Sequence, residues 1–113
     1  FNLPYIKAIS MKPDVNLLKC IDSYDSAKAL LLDSYSKGTR GGSGKVFDWK
    51  SIPLNTLKPL IVAGGLNPNN VKSLLELIVP YGVDVSSGIE SAKGLKDCQL
   101  MKEFILGVTN AGV

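Results

Sequence analysis

Histidine is absent from the 113-residue chain, which also holds only two cysteines and a single tryptophan. Without histidine the chain lacks the usual ligand of a mixed Cys-His zinc site and the base of a Cys-His nucleophile pair. Cys20 and Cys98 are far apart and fall in segments with helical spacing, so we interpret both as reduced structural thiols. We therefore expect neither a metal centre nor thiol chemistry in this chain.

Long hydrophobic runs and clusters of basic residues are missing as well. No apolar run approaches the roughly 20 residues that span a bilayer. The 13 basic and 10 acidic residues give a net charge of +3 and are scattered, without the stripe typical of nucleic-acid binding. We therefore expect neither a membrane nor a nucleic acid as a partner, and we expect a reducing, cytoplasmic setting. The 45% hydrophobic content suffices for one modest core.

Four short apolar segments are present, and each is followed by turn residues and then by helical spacing. The segments are residues 5–11, 27–32, 59–63 and 83–86. The middle two are almost continuously hydrophobic, which is typical of parallel strands covered on both faces. Helices are predicted over 15–24, briefly from Asp48, from Asn67 as N-cap through Ile78, and after Asp97. The last helix carries an apolar stripe of Leu100, Met101, Phe104 and Ile105.

The alternation of four strands with four helices predicts an α/β fold with a parallel sheet, either doubly wound or closed as a barrel. A complete (β/α)8 barrel takes about 250 residues, so four units of this size amount to about half of one. The chain also opens on Phe1 and Asn2 without an initiator methionine. We therefore expect residues 1–113 to form a single partial domain, half of a (β/α)8 TIM barrel with four parallel βα units.

Glycine turns follow the last two predicted strands, where ligands gather in both architectures. Gly64 and Gly65 come after the third strand, and Ser86, Ser87 and Gly88 come after the fourth. Glycine lets the backbone approach an anion closely, and successive N–H groups supply donors. An isolated Gly-Gly pair more often forms a tight turn that binds no ligand. Two such turns on the last two strands favour a site for a phosphorylated small molecule.

Charged residues fall in or after the same strands. Asp33 ends the second apolar run, where a carboxyl group can act as general acid or base, or else as an N-cap or salt-bridge partner. Asp84 alternates with Val83 and Val85, so it is either paired inward or in contact with a ligand. We interpret Lys7 as a cation of the barrel interior with a structural role.

The segment 38–45 is rich in glycine and superficially resembles a P-loop. The match fails because Lys45 is followed by Val46, where that motif requires serine or threonine. We interpret the segment as a mobile loop that covers a ligand or as a plain linker, in preference to a nucleotide site.

Together these motifs resemble the phosphoribosylanthranilate isomerases of tryptophan biosynthesis. The resemblance lies in residues 6–10, 31–34, 41–49, 63–71, 82–90 and 94–97, which extend over nearly the whole chain. It implies that the chain is the C-terminal half of a single-domain barrel, strands five to eight with their helices. One departure is Ser43, where the glycine loop of the family more often has threonine.

The resemblance also implies an activity and its residues. The family converts N-(5-phosphoribosyl)anthranilate to 1-(2-carboxyphenylamino)-1-deoxyribulose 5-phosphate by an Amadori rearrangement, without metal or cofactor. Asp33 falls on the general acid, and Asp84 falls on a polar residue beside the substrate. The phosphate-binding turns fall on Gly64, Gly65, Ser86, Ser87 and Gly88. The general base is a cysteine of strand one, which is absent from this chain and is matched by neither Cys20 nor Cys98.

A half barrel leaves strand edges and inner faces uncovered, so we expect pairing with a complementary N-terminal half or self-association. Catalysis is then expected only when the N-terminal half is present. The alternative is a non-catalytic phosphate-binding or assembly module derived from such a barrel. A third candidate, an indole-glycerol-phosphate synthase, shares the phosphate turns but lacks support from residues 31–34 and 41–49.

Overall fold

The computed structural model describes residues 3–34 and 45–110, so the predicted loop 38–45 lies outside the described residues except for Lys45. Four strands form one parallel sheet whose spatial order follows the chain order. These strands are β1 (Ile6–Met11), β2 (Ala29–Ser34), β3 (Leu60–Val62) and β4 (Gly82–Val83). The prediction of an α/β fold with a parallel sheet is confirmed.

Within the described residues, three α-helices accompany the sheet: α1 (Leu17–Ser23), α2 (Val71–Leu77) and α3 (Cys98–Thr109). Side-chain oxygens of Asn16 and Asp97 accept hydrogen bonds from the first turns of α1 and α3, which explains where these helices begin. Two 3₁₀ helices, Trp49–Ser51 and Ser87–Ile89, and an antiparallel hairpin complete the described elements. The hairpin consists of β5 (Glu90–Ala92) and β6 (Leu95–Lys96) and was not predicted.

Several predicted boundaries are wrong. Helix α2 (Val71–Leu77) begins later than predicted. Asn67 nevertheless acts as the predicted cap, since its side chain accepts the Asn69 and Asn70 N–H groups at 2.8 and 3.0 Å and its carbonyl oxygen accepts the Val71 N–H at 3.1 Å. The short helix predicted from Asp48 is the 3₁₀ helix Trp49–Ser51 capped by Asp48, and no α-helix stands between β2 and β3 in the part of the chain that the structure describes. Strand β4 ends at Val83, so Asp84 follows the strand instead of lying within it.

The sheet has one covered face and one uncovered face. On the covered face, the core joins strand residues to the three helices, and Leu30, Leu32, Val62, Val71 and Leu74 are completely buried. The opposite face carries Ala8, Leu31, Ile61 and Gly82, which are aligned across the four strands and are only partly covered or exposed. All three helices therefore pack on the same side of the sheet.

Lys7 does not lie on the uncovered face, so its interpretation as a cation of the barrel interior is wrong. It alternates with Ala8 and pairs with Leu30, which places it on the face covered by helices. Its ammonium group lies 4.9 Å from the centre of the Tyr24 ring, at the end of α1, in a cation–π contact. The contact that the structure gives Lys7 is therefore with an aromatic ring of the covered face.

Candidate anion-binding site

The turn after β3 requires glycine for two separate reasons. Gly64 and Gly65 have φ angles of 85° and 71°, in the left-handed region that only glycine adopts at little cost. A Cβ atom on Gly64 would lie 2.5 Å from Asp33 Oδ1, and one on Gly65 would lie 2.6 Å from the carbonyl carbon of Lys45. The turn is therefore packed directly against the carboxyl end of β2.

The second turn packs against the first. Ser86 follows β4 and leads into the 3₁₀ helix Ser87–Ile89. A Cβ atom on Gly88 would lie 2.8 Å from the carbonyl carbon of Leu66, so the two glycine turns are in contact. Two segments separated by more than twenty residues in the chain thus meet at one point beyond the strand ends.

Backbone donors are available at both turns. Ala63 donates to the Leu32 carbonyl at 2.7 Å, which ends the sheet hydrogen bonding on this strand. Among the described residues, the next N–H groups of Gly64 and Gly65, and those of Ser87 and Gly88, have no acceptor. Successive N–H groups without internal partners are the typical components of an anion site.

A pocket of about 130 Å³ lies between the two turns and the end of β2. It is lined by Asp33, Ala63, Gly64, Gly65, Leu66, Asp84, Val85, Ser86 and Ser87. The structure therefore brings together every predicted site residue except Gly88, which lies behind the lining in contact with Leu66. Asp33 is half-buried and Asp84 is exposed. Asp33 pairs with Ser10 in the sheet and belongs to the uncovered face.

One cation that sequence reasoning missed lies beside this pocket. Lys96 Nζ is 2.9 Å from the Ser86 carbonyl oxygen, 3.3 Å from Ser86 Oγ and 2.6 Å from Glu90 Oε2. The Lys96 ammonium, followed by the Gly94 N–H, holds the pKa of Glu90 below its ordinary value. Glu90 and Lys96 both fall in segments that carry the family resemblance, and this was the sequence feature that could have pointed to them.

The cysteines lie outside the pocket. Cys20 is half-buried within α1, Cys98 is exposed at the start of α3, and neither is in a disulfide. In residues 3–34 and 45–110, no group of three His, Cys, Asp or Glu side chains is arranged to hold a metal ion. Over the same residues, no helix has the length and apolar character to cross a membrane.

The opposite end of the sheet has a different character. Lys58 donates to the carbonyl oxygens of Asp25 and Ala27 at 2.7 and 2.6 Å and closes the turn before β2. A second cavity of about 130 Å³ there is lined largely by apolar residues that include Pro59, Pro80 and Tyr81. In barrels this amino-terminal end serves stability, whereas the carboxyl end carries the chemistry.

The parallel sheet, its sequential strand order and the pocket beyond the carboxyl ends of its strands define an α/β protein of the TIM-barrel type. A family model for N-(5'-phosphoribosyl)anthranilate (PRA) isomerase matches residues 1–106. The chain belongs to this family, as the resemblance of its motifs indicated.

Known relatives agree with the family assignment. The N-(5'-phosphoribosyl)anthranilate isomerase of Marinomonas sp. is 47% identical over 107 residues, which are 95% of this chain and 52% of that protein. The crystal structure of the Thermotoga maritima enzyme superposes with a TM-score of 0.79 at 33% identity, covering 99% of this chain and 53% of that one. The chain therefore spans about half the length of the relatives that it matches.

A second similar structure is a phosphoribosyl anthranilate isomerase in complex with reduced 1-(o-carboxyphenylamino)-1-deoxyribulose 5-phosphate. It has a TM-score of 0.68 at 28% identity, and the match covers 98% of this chain and 50% of that protein. A family member thus binds a phosphorylated, ring-opened sugar derivative.

Proposed function

We propose that this chain supplies the phosphate site and the general acid of a phosphoribosylanthranilate isomerase. The reaction is the Amadori rearrangement of N-(5-phosphoribosyl)anthranilate to 1-(2-carboxyphenylamino)-1-deoxyribulose 5-phosphate in tryptophan biosynthesis. The observation that carries the proposal is the pocket in which Asp33 meets both glycine turns, in a chain that belongs to this family. The complex of a family member with a reduced form of this product supports the same class of ligand.

The phosphate group is proposed to bind the N–H groups of Gly64, Gly65, Ser87 and Gly88. In the described residues these groups have no acceptor, and the left-handed φ angles of Gly64 and Gly65 turn the chain sharply at the end of β3. Backbone dipoles hold an anion without a positively charged side chain in direct contact. The pocket suits the phosphate end of the substrate, while the uncovered face beside Asp33 leaves space for the remainder.

Asp33 is proposed to donate a proton to the ring oxygen of the ribose. As the C1–O bond breaks, the anthranilate nitrogen lone pair forms a C=N bond, which opens the ring. A general base then removes the C2 proton, and the resulting enamine tautomerises to the ketose. The close approach of Gly64 to Asp33 Oδ1 supports this assignment, because the Asp33 carboxyl group lies beside the turn that we propose for the phosphate.

We infer further that the chain is the C-terminal half of the barrel, strands five to eight, and that the general-base cysteine comes from an N-terminal half. Three observations support this inference: the chain spans about half of its relatives, one sheet face lacks a covering layer, and the outer edges of β1 and β4 are unpaired among the described residues. A complementary half, or a second copy of the chain, would cover the face and the edges.

The test is to combine the chain with the N-terminal half of a family member that carries the strand-one cysteine. Conversion of phosphoribosylanthranilate is followed by its fluorescence change. Asp33→Asn is expected to lower kcat by about 10²–10⁴-fold, because the amide cannot donate the proton that a positioned carboxylic acid supplies. The chain without its complement is expected to be nearly inactive.

Asp22→Asn is the matched control, because Asp22 is exposed in α1, away from the pocket. It should leave kcat unchanged. If Asp33→Asn left kcat unchanged, Asp33 would not be the general acid. An assembly that binds inorganic phosphate but never converts the substrate would instead identify a non-catalytic phosphate-binding module.

A further inference from the structure

The β5–β6 hairpin has no part in the mechanism above, yet it touches the phosphate turn. Its Lys96 ammonium makes three contacts: 2.6 Å to Glu90 Oε2, 2.9 Å to the Ser86 carbonyl oxygen and 3.3 Å to Ser86 Oγ. Glu90 and Lys96 are paired across the hairpin, so the strand pairing itself brings the two charges together. The cation therefore links the hairpin to the first residue of the turn.

Glu90 holds Lys96 in place from the other side. The Glu90 side chain is 14% exposed against 45% for Lys96, so the carboxylate is the more enclosed partner. Its second oxygen, Oε1, accepts the Gly94 N–H at 3.2 Å. Gly94 has a φ of 80° at the hairpin turn, where glycine is favoured. The lowered pKa of Glu90, caused first by Lys96 and then by this N–H, agrees with a carboxylate that remains ionised.

Both ends of the 3₁₀ helix Ser87–Ile89 are thereby held, one by the hairpin and one by the residue that follows it. At its start, the Ser86 carbonyl accepts from Lys96 and also from the Ile89 N–H at 3.3 Å. At its end, the Ile89 carbonyl accepts the Asp97 N–H at 2.8 Å. The direction of the Ser87 N–H group depends on the contacts of the Ser86 carbonyl, because the carbonyl of Ser86 and the N–H of Ser87 share one planar peptide unit.

We propose that Lys96, held by Glu90, is a positioning residue that orients the Ser86–Ser87 peptide so that its N–H points at the substrate phosphate. This inference rests on the proposed function, because the phosphate site is part of that function. The ammonium acts from behind the turn, through the Ser86 carbonyl, and touches no reacting atom. Its loss should therefore weaken phosphate binding and leave the proton transfers at Asp33 intact.

The experiment compares Lys96→Met, which removes the charge and donors but keeps the length, with the unsubstituted chain in the assembled enzyme. We expect about a tenfold rise in the KM of phosphoribosylanthranilate and in the inhibition constant of inorganic phosphate, the factor that corresponds to one charge-assisted hydrogen bond. The value of kcat should change by less than about twofold, because the phosphate contact that is lost stabilises the bound substrate and the transition state equally.

Three further variants separate positioning from simple damage to the fold. Lys96→Arg retains a cationic donor and should restore most of the phosphate affinity, whereas Glu90→Gln should weaken it in the same direction as Lys96→Met. Lys93→Met removes an exposed cation from the same hairpin and should change nothing. A fall in kcat at constant KM, or an equal loss of phosphate affinity in Lys93→Met, would overturn the assignment.

Equilibrium dialysis with inorganic phosphate separates this inference from the proposed function. If the assembly binds phosphate but converts no substrate, an affinity about tenfold lower in Lys96→Met still supports the positioning role. If conversion occurs and both proteins bind phosphate equally, the positioning role is wrong and the isomerase proposal stands. Absence of phosphate binding in the unsubstituted assembly would overturn both.

Discussion

Gly64 illustrates how a single residue serves both the fold and the candidate site. Its positive φ lets the chain turn immediately after β3, and its missing side chain leaves room for the Asp33 carboxylate. Gly94 has a similar φ but no heavy atom within 4 Å of the position that a Cβ would occupy. The two glycines therefore share the conformational requirement and differ in the steric one.

Gly64→Ala is expected to lower the free energy of unfolding by about 3 kcal/mol, combining the cost of a left-handed alanine with that of overpacking. Gly94→Ala should cost only about 1 kcal/mol, since it carries the conformational cost alone. Urea denaturation of both variants measures the difference. Equal losses would show that the contact between Gly64 and Asp33 adds nothing to the requirement for glycine.

At the scale of elements, α3 supports the 3₁₀ helix Ser87–Ile89, which belongs to the turn after β4. The helix packs on α2 and on the 3₁₀ helix Ser87–Ile89. The approach to α2 is close, because a Cβ on Gly107 would lie 2.8 Å from Val71 Cγ1. Phe104 enters the core with 6% of its surface exposed, whereas Ile105 is 62% exposed although the sequence placed it in the apolar stripe.

Phe104→Ala is expected to destabilise the protein by about 3–5 kcal/mol, because it removes a buried ring and leaves a cavity. Ile105→Ala, the neighbouring control, should change the free energy of unfolding by less than about 0.5 kcal/mol, as a surface substitution does. Both values come from denaturant titrations. A large loss in Ile105→Ala would indicate that another surface covers this residue in the assembled protein.

For the whole molecule, the decisive feature is the asymmetry of the sheet. Helices cover one face, while on the other face Ile6 is 56% exposed and Ala8 and Ser10 are exposed along β1. An apolar, aligned sheet face is stable only when another layer covers it. The half-barrel proposal attributes that layer to an N-terminal half or to a second copy of the chain.

Ile6→Asp should weaken assembly with the complementary half about hundredfold, because it buries an unpaired charge on the face that the partner covers. Leu57→Asp makes the same chemical change at a fully exposed leucine in the segment before β3 and should leave assembly unaffected. Sedimentation velocity across a concentration series measures both. If Leu57→Asp weakened assembly and Ile6→Asp did not, the partner would bind at the amino-terminal end of the sheet and not on its uncovered face.

Local chemistry made part of this fold and site predictable. The apolar runs that became β2 and β3 were recognisable because both are almost continuously hydrophobic, as is typical of parallel strands. The residues Asp33, Gly64, Gly65, Ser86 and Ser87 were named from their positions at or after strand ends, and all of them line one pocket. Asp84, which was predicted to lie within the last strand, lines the same pocket. Parallel strands bring their carboxyl ends to one edge, so such residues converge wherever the strands pair in order.

Tertiary structure decided which faces are covered and which distant side chains are in contact. Lys7 faces the helices and Ile105 faces outward because the side on which a helix packs depends on partners distant in the chain. The pairing of Lys96 with Glu90 and Ser86 required the hairpin to form beside the turn, which no local pattern specifies. The sequence alone thus determined the strands, the glycine turns and the position of the Asp33 carboxyl group after β2, since each depends on a residue's own conformational or chemical limits. Only the folded chain decided which face is covered and which side chains meet, because those contacts join residues far apart in sequence.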